Sequence, residues 1–164
     1  MQTVTIDVKS IARHRGPHQP RHPTLPPAIL AFTKYWMQLG EPRPPTWARF
    51  QMLDVLDIVP YLTVFKCHGE PCFTVEFMGS AVAAMLGEDM TGAEFTASTP
   101  TVAEIDWFER CLGAIERRDV NTVAGTANPQ YTSKLEYVGA DFPFLDDRGA
   151  EVSYVVALTV GRTN

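Results

Sequence analysis

The spacing of apolar residues changes from helical to alternating near Pro60. Before that point, Pro26-Pro27 is followed by large apolar side chains every three or four positions and then by Gly40. This pattern predicts one amphipathic helix of about three turns, Pro27–Leu39, because proline fits a first helical turn and glycine commonly ends a helix. The apolar face of this helix consists of Ile29, Phe32, Trp36 and Leu39.

Beyond Pro60 the pattern predicts five strands and two helices. The strands are rich in β-branched and aromatic residues and are bounded by turn residues: Tyr61–Cys67, Cys72–Met78, Val120–Ala127, Tyr131–Phe142 and Glu151–Val160. After the second strand, Ala81–Leu86 predicts a short helix that Gly87 ends. The capping-box pattern Thr101-x-x-Glu104 then predicts a longer helix with one apolar stripe. That stripe consists of Ile105, Phe108, Leu112 and Ile115.

The order of these elements predicts the fold class. Two strands joined by a short turn, two helices and three more strands favour an α+β fold with an antiparallel sheet. Both faces of Glu151–Val160 are apolar, so this strand is expected in the middle of the sheet. We therefore expect a five-stranded antiparallel sheet with helices on one face, preceded by the N-terminal amphipathic helix.

Charge and proline divide the chain unevenly. Residues 1–50 contain seven Lys/Arg and two Asp/Glu, a net charge of +5, and residues 51–164 contain seven Lys/Arg and seventeen Asp/Glu, a net charge of −10. Nine of the thirteen prolines precede Tyr61. We therefore expect three parts, which are a basic, proline-rich flexible arm over residues 1–25, a helical extension over 26–60 and a globular domain over 61–164.

The composition excludes several classes of protein. No segment approaches the roughly 18 to 20 apolar residues of a membrane span, and the N-terminus lacks the apolar core of a signal peptide. Three cysteines, an odd and sparse set, favour free thiols and a cytoplasmic protein. An acidic domain also disfavours nucleic-acid binding, which needs clustered Lys and Arg.

Four segments carry a resemblance to a known family. They are Leu39–Pro44 after the tryptophan-containing helix, Leu56–Leu62 before the first strand, Phe77–Val82, and Leu86–Gly92, which is the most specific. With the order of the elements, these segments resemble a bacterial family of small PAS-like proteins that have an N-terminal helix. The domain over residues 61–164 is therefore expected to be PAS-like. The motifs serve backbone turns and helix docking rather than catalysis.

The resemblance implies a sensory or protein-interaction module of bacterial signal transduction, with a pocket between the inner face of the sheet and the helices. The pattern alone places seven residues there: Val75, Phe77, Met85, Phe108, Leu112, Tyr137 and Tyr154. Ordinary core packing explains the same seven residues, since apolar stripes mostly pack. The two tyrosines are the better candidates for ligand contact, because a buried phenol needs a hydrogen-bond partner.

Because the chain ends four residues after Val160, we expect its output to pass through a protein partner. The helix Pro27–Leu39 is the expected interaction element. Its Phe32/Trp36 face is expected to pack on the exposed side of the sheet or on a second subunit of a homodimer, and ligand occupancy would shift that docking.

Two groups of histidine and cysteine residues have a spacing that could in principle suit a metal ion. His14, His18 and His22 recur every fourth residue, but Pro17 and Pro20 between them break a helix, which favours a solvated arm.

Cys67-His68 and Cys72 surround one hairpin turn, but a structural zinc usually takes four ligands and no second pair lies nearby in sequence. We expect no metal site, and a cytosolic setting disfavours a stable Cys67–Cys72 disulfide.

The cofactors of PAS-like relatives have no clear counterpart here. Light-sensing relatives use a flavin-reactive cysteine on the short helices, and Ser80–Gly92 contains none. Haem-binding relatives use an axial histidine near the long helix; Thr101–Arg118 has none, which leaves Cys111 as an unusual haem ligand. The sequence therefore leaves any cofactor unidentified.

Catalysis has little support in the sequence. Gly79-Ser80 resembles a nucleophile elbow, but Val82 replaces its second glycine and no histidine follows His68. The acidic residues around Glu104 and Glu109 are explained by a solvated helix face. We expect no enzyme and no catalytic residues.

Two alternatives stay open. One is a pure protein adaptor with a filled core and no ligand. The other is an enzyme on a cone-shaped sheet, similar to the steroid-isomerase-like proteins, although those folds usually begin with long helices and here a hairpin precedes the longest helix of the domain.

Overall fold

The computed structural model describes residues 4–5, 24–69, 71–129 and 133–162. They form an α+β structure around one curled antiparallel sheet. The strands are β1 Val4–Thr5, β2 Leu62–His68, β3 Cys72–Met78, β4 Glu94–Thr96, β5 Asn121–Ala127, β6 Leu135–Leu145 and β7 Val152–Gly161. The helices are α1 Pro27–Gln38, α2 Ser80–Leu86 and α3 Trp107–Arg117.

The sheet has seven strands in the order β1-β5-β6-β7-β2-β3-β4, so the expected number of five is wrong. The five expected strands correspond to β2, β3, β5, β6 and β7, and β7 lies centrally, as its two apolar faces predicted. The added edge strands contain three and two residues, which is too short for an alternating pattern to be visible in sequence.

Some expectations fall outside the described residues. Residues 1–3 and 6–23 of the expected arm are among these, together with its three histidines. The expected start of a strand at position 131 also lies outside, and β6 is described from Leu135 onward. The described part of the chain contains no helix with the length and apolar character needed to cross a bilayer.

The two faces of the sheet are covered by different helices. The face that we name the inner face packs against α2 and α3, and the opposite, outer face packs against α1 and three short 3₁₀ turns. Those turns are Trp47–Arg49, Met52–Val55 and Val59–Tyr61. β7 contributes to both cores, because Val155 and Ala157 face inward whereas Val156 and Leu158 face outward.

Helix α1 docks on the outer face of its own sheet through the predicted apolar residues. Ile29, Phe32 and Trp36 are buried, and Leu39, just beyond the helix, is half-buried against the same core. The Phe32 ring lies 4.7 Å from the Phe142 ring between centroids. The indole Nε1 of Trp36 donates a hydrogen bond to the backbone oxygen of Pro143 at 3.0 Å. The first of the two expected docking modes is therefore the one present within this chain.

Helix α3 begins later than the capping-box pattern predicts. Ala103 and Glu104 have φ angles of 52° and 63°, in the left-handed region, so a right-handed helix cannot run through them. The carboxylate of Asp106 instead caps the helix by accepting a hydrogen bond from the backbone N–H of Glu109 at 2.9 Å.

The buried face of α3 also differs from the predicted stripe. The residues that it buries are Trp107, Arg110, Cys111 and Ala114. Their i, i+3, i+4, i+7 spacing is that of a core-facing helix, but it includes an arginine that a hydrophobic pattern counts as polar. The predicted stripe residues Phe108, Leu112 and Ile115 therefore lie half-buried on the flank of the helix.

Candidate functional site: a cleft beside helix α3

An open cleft of about 530 Å³ lies between the C-terminal half of α3, the β2–β3 hairpin and the turn that joins β6 to β7. We name it the α3 cleft. Its more buried apolar lining consists of Phe73, Leu112, Ile115 and Val152, and its polar lining includes His68, Arg118, Asp146, Glu151 and Ser153. Cys67, Gly69 and Pro71 complete the lining. The volume falls within the range of about 300–1,000 Å³ that is usual for small-molecule sites.

Arg118 joins the end of α3 to the β6–β7 turn. It is the C-cap of the helix in a left-handed conformation, with φ 50°, and its backbone N–H bonds to the carbonyl oxygens of Ala114 and Ile115. Its guanidinium Nη1 donates a hydrogen bond to the carbonyl oxygen of Ala150 at 3.0 Å. One side chain thus holds two walls of the cleft together.

Asp146 supplies a fixed negative charge to the cleft. Its carboxylate accepts a hydrogen bond from the backbone N–H of Ala150 at 3.0 Å. That bond is the main reason why the pKa of Asp146 lies below its usual value, so the group is ionised at neutral pH. The turn is closed by a backbone bond from Asp146 N to the Glu151 oxygen at 2.8 Å.

Cys67 contributes an apolar wall rather than a reactive thiol. Burial raises its pKa to about 12, so the sulfur stays protonated and weakly nucleophilic at neutral pH. His68 Nε2 lies 2.7 Å from the hydroxyl of Thr74 on the neighbouring strand. In the described ranges, no group of three or more His, Cys, Asp or Glu side chains is arranged to hold a metal ion.

A β-bulge brings two consecutive residues of β7, Val152 and Ser153, to the α3 cleft. Phe144 pairs with Tyr154 and Leu145 pairs with Val152, so Ser153 is an extra residue in β7. Val152 and Ser153 line the α3 cleft, whereas the next side chain, Tyr154, packs against the outer core. Bulges often occur beside functional sites, where they redirect a side chain.

A column of aromatic rings runs from this bulge to helix α1. The rings of Tyr154 and Trp47 are stacked, with centroids 4.1 Å apart and planes within 11°. Trp47 stacks in turn on Phe50 at 5.0 Å, and Phe50 lies 6.1 Å from Phe32 of α1. We name these four residues the aromatic column. It forms a continuous path of contacts between the wall of the cleft and the helix on the other face.

The seven residues placed in one pocket from sequence are distributed over three places. Leu112 lines the α3 cleft. Val75, Met85, Phe108 and Tyr137 pack in the inner core. Phe77 and Tyr154 pack on the outer face, away from the other five.

A second β-bulge explains the position of Phe77. Val64 pairs with Phe77 and Phe65 pairs with Val75, which leaves Glu76 without a cross-strand partner in that pair of strands. The extra residue turns Phe77 to the face opposite Val75, although residues two positions apart in a strand normally share a face.

A buried polar cluster on the inner face was not found from sequence. Arg110 of α3 is 4% exposed and Asp141 of β6 is fully buried. The guanidinium Nη2 lies 2.7 Å from Asp141 Oδ1, and Nη1 donates to the Thr159 hydroxyl at 2.9 Å. Asn121 Nδ2 donates to the other carboxylate oxygen at 3.2 Å. A charged residue between Ala140 and Phe142 in an apolar strand is the signal that could have revealed this cluster.

Asp141 keeps Arg110 charged inside the core. Burial disfavours the charged guanidinium, but the nearby carboxylate outweighs it, and the pKa of Arg110 is raised above its usual value. The Trp107 ring adds a cation–π contact, with its centroid 4.8 Å from the Arg110 Cζ. Neither Arg110 nor Asp141 lines the α3 cleft, so the pair fixes the position of α3 rather than contacting a ligand there.

Comparison of the chain with protein-family models finds no matching family, and comparison with curated proteins finds no similar protein.

Proposed function

We propose that the chain is a PAS-like module of bacterial signal transduction, acting in the cytoplasm without catalysis of its own. In this proposal a small molecule binds in the α3 cleft and alters the docking of α1 on the outer face. The observation that carries it is the start of β7, where Ser153 lines the cleft and the adjacent Tyr154, on the opposite face, begins the aromatic column. The chain order of a β-hairpin, two helices and a three-strand meander supports the PAS-like assignment.

The adjacency of Ser153 and Tyr154 in β7 offers a physical way to pass a displacement from one face of the sheet to the other. A ligand that presses on Val152 or Ser153 shifts the local backbone, and Tyr154 must move with it. Stacked aromatic pairs contribute about 0.5–1.5 kcal/mol each beyond their buried area. Loss of one stack at Trp47 would therefore change the docking equilibrium of α1 several-fold, since 1.4 kcal/mol is a factor of about ten.

A protein partner would respond to the change in the docking of α1. Two large apolar residues on the outer flank of the helix, Leu30 and Met37, are 51% and 46% exposed, and their i, i+7 spacing places them on one face. A change in the tilt of α1 would move this face relative to the rest of the molecule. If the chain forms a homodimer, as expected, this partner is a second copy of the chain. The molecular mass in solution tests whether the dimer forms.

A ligand-free adaptor is the second candidate. Leu53 and Leu56 are exposed beside the outer core, in addition to the pair on α1, and exposed large apolar side chains favour protein contact. For an adaptor, the state of the cleft would have no effect on α1. The two candidates therefore differ in whether a change in the cleft alters the docking of α1.

Filling the cleft with a side chain tests the proposal before any ligand is known. Leu112→Trp adds an indole beside Phe73 and Ile115, and Leu53→Trp, at a 78% exposed position, is the matched control. We expect hydrogen exchange of the α1 amides to change at least threefold in Leu112→Trp relative to the β5 amides. The proposal fails if α1 exchange in Leu112→Trp equals that in the control.

A further inference from the structure

The charges around the α3 cleft point to a class of ligand. We propose that the cleft takes an organic cation, with an apolar body of one or two rings and a protonated amine. This inference rests on the ligand site of the proposed function and adds the chemistry that would be recognised there.

The apolar body follows from the more buried part of the lining. Phe73 is buried, and Leu112, Ile115 and Val152 are half-buried around it. Rings of a ligand would replace water against these four side chains, which is favourable because apolar surface is removed from water. The volume of about 530 Å³ accommodates two fused rings with a short side chain.

The cationic head follows from the balance of charge. Asp146 and Glu151 bring two carboxylates to the lining, against the single guanidinium of Arg118. One nitrogen of that guanidinium already donates to the Ala150 oxygen. Asp146 is held by the Ala150 N–H in its ionised form, so its charge is present at neutral pH. An amine thus meets two opposite charges and one like charge, whereas a ligand carboxylate would meet one opposite and two like charges.

The net charge of residues 51–164 acts in the same direction. Residues 51–164 carry seventeen Asp/Glu and seven Lys/Arg, and every residue that lines the cleft belongs to this segment. An acidic surface raises the local concentration of cations and disfavours anions. The local and the long-range charges therefore select the same sign of ligand.

Three probes with one indole body separate charge from apolar contact. Isothermal titration calorimetry of the full chain with tryptamine, tryptophol and indole-3-acetate compares a cation, a neutral alcohol and an anion. We expect tryptamine to bind at least tenfold more tightly than tryptophol, and indole-3-acetate to bind most weakly. Raising the salt concentration should weaken tryptamine binding and leave tryptophol binding unchanged.

Variants locate the site of binding. Asp146→Asn with Glu151→Gln should lower tryptamine affinity about tenfold, with less than a twofold effect on tryptophol. Asp147→Asn, on the same turn but outside the lining, is the control and should change tryptamine affinity less than twofold. Leu112→Trp should abolish binding of tryptamine and of tryptophol.

Each contrary result has a defined meaning. Equal affinity for the three probes, absence of tryptamine binding at millimolar concentration, or binding that Leu112→Trp leaves intact would each overturn the inference. Tight tryptamine binding in the cleft with unchanged α1 exchange would support this ligand class and contradict the proposed function. If filling the cleft changed α1 exchange but the cleft did not select tryptamine, the proposed function would be supported and this ligand class would be contradicted.

Discussion

The two faces of the sheet are held by different interactions. On the outer face, α1 is held mainly by rings and aliphatic side chains, with one hydrogen bond to the sheet, from Trp36 to Pro143, and two at the exposed Tyr35 hydroxyl, which accepts from Gln51 N–H and donates to Asp54. On the inner face, α3 is held by apolar contacts and also by the buried Arg110–Asp141 pair. β6 serves both, since Asp141 faces inward and the next residue, Phe142, contacts α1.

This difference concerns how freely each helix can move. A buried ion pair is favourable only in a narrow geometry, because every displaced hydrogen bond leaves a charge without compensation. Stacked and tilted rings tolerate sliding at a smaller cost, since their attraction is less directional. We infer that α3 is the fixed reference and that α1 is the element that shifts.

The largest effect is expected from removing one partner of the buried pair. Arg110→Met leaves the Asp141 carboxylate buried with only Asn121 as a side-chain donor, and should lower the free energy of unfolding by about 3–5 kcal/mol. Arg110→Met combined with Asp141→Leu removes both charges and should be clearly more stable than the single variant. Urea denaturation measures both.

The matched control for the ion pair is Arg117→Met, at an exposed position on the same helix. It should change the free energy of unfolding by less than about 0.5 kcal/mol. If Arg110→Met proved as mild as this control, the inner face would not depend on the pair, and the contrast between the faces would be lost.

Truncating the aromatic anchor of α1 is expected to have the next effect. Phe32→Ala removes a fully buried ring that contacts Phe142 and Phe50, and should cost about 3 kcal/mol of unfolding free energy. Leu30→Ala, two positions away and about half exposed, is the control and should cost far less. Similar losses for the two variants would contradict the docked position of α1.

A methyl group placed under the guanidinium probes how tightly α3 is fixed. A Cβ added at Gly139 would lie 2.5 Å from Nη2 of Arg110, so Gly139→Ala must displace the ion pair. We expect a loss of about 1–3 kcal/mol in the free energy of unfolding. At Gly69, an added Cβ has no atom within 4 Å, so Gly69→Ala should be nearly neutral. If Gly139→Ala left the free energy of unfolding unchanged, α3 on the inner face would be displaced as easily as α1 on the outer face.

The smallest effect is expected from the thiols of the inner face at alkaline pH. Burial raises the pKa of Cys67 to about 12, from about 9 in an unfolded chain, and also raises that of Cys111. A raised thiol pKa stabilises the fold below pH 9, and this contribution is lost as the pH rises from 9 towards 12. Wild type should therefore lose about 1 kcal/mol more than Cys67→Ala between about pH 8 and 9.5. If the free energy of unfolding changed with pH equally in wild type and in Cys67→Ala, the burial of this thiol would be refuted.

The sequence pattern predicted the positions of the helices and strands better than it predicted which side of the sheet each side chain faces. The apolar spacing of Ile29, Phe32 and Trp36 located α1, and the two apolar faces of the last strand located β7 in the middle of the sheet. The bulges at Glu76 and Ser153 were not predictable, because a bulge depends on the pairing of two strands and leaves no period in either one. The bulge at Glu76 is why Phe77 was grouped with inner-face residues. Tyr154 was misplaced for another reason: both faces of β7 are apolar, so the pattern does not show which face packs against α2 and α3.

The candidate site was predictable only in part. Leu112 was placed in a pocket from the helical stripe, but the cleft is built from turns whose approach depends on the tertiary structure. Arg110 escaped notice because a hydrophobic pattern counts every arginine as solvent-facing, and only the carboxylate of Asp141 makes its burial favourable. The charge partner, distant in sequence, decides which face of α3 is buried.

The most direct test of the central claim is whether a filled cleft reaches α1 through the aromatic column. Hydrogen exchange of the α1 amides would be compared in four proteins: wild type, Leu112→Trp, Trp47→Leu, and the double variant. We expect Leu112→Trp to change α1 exchange at least threefold in the wild-type background, and by less than 1.5-fold when Trp47→Leu has removed the stack on Tyr154. An equal effect of Leu112→Trp in both backgrounds, or no effect in either, would contradict the account.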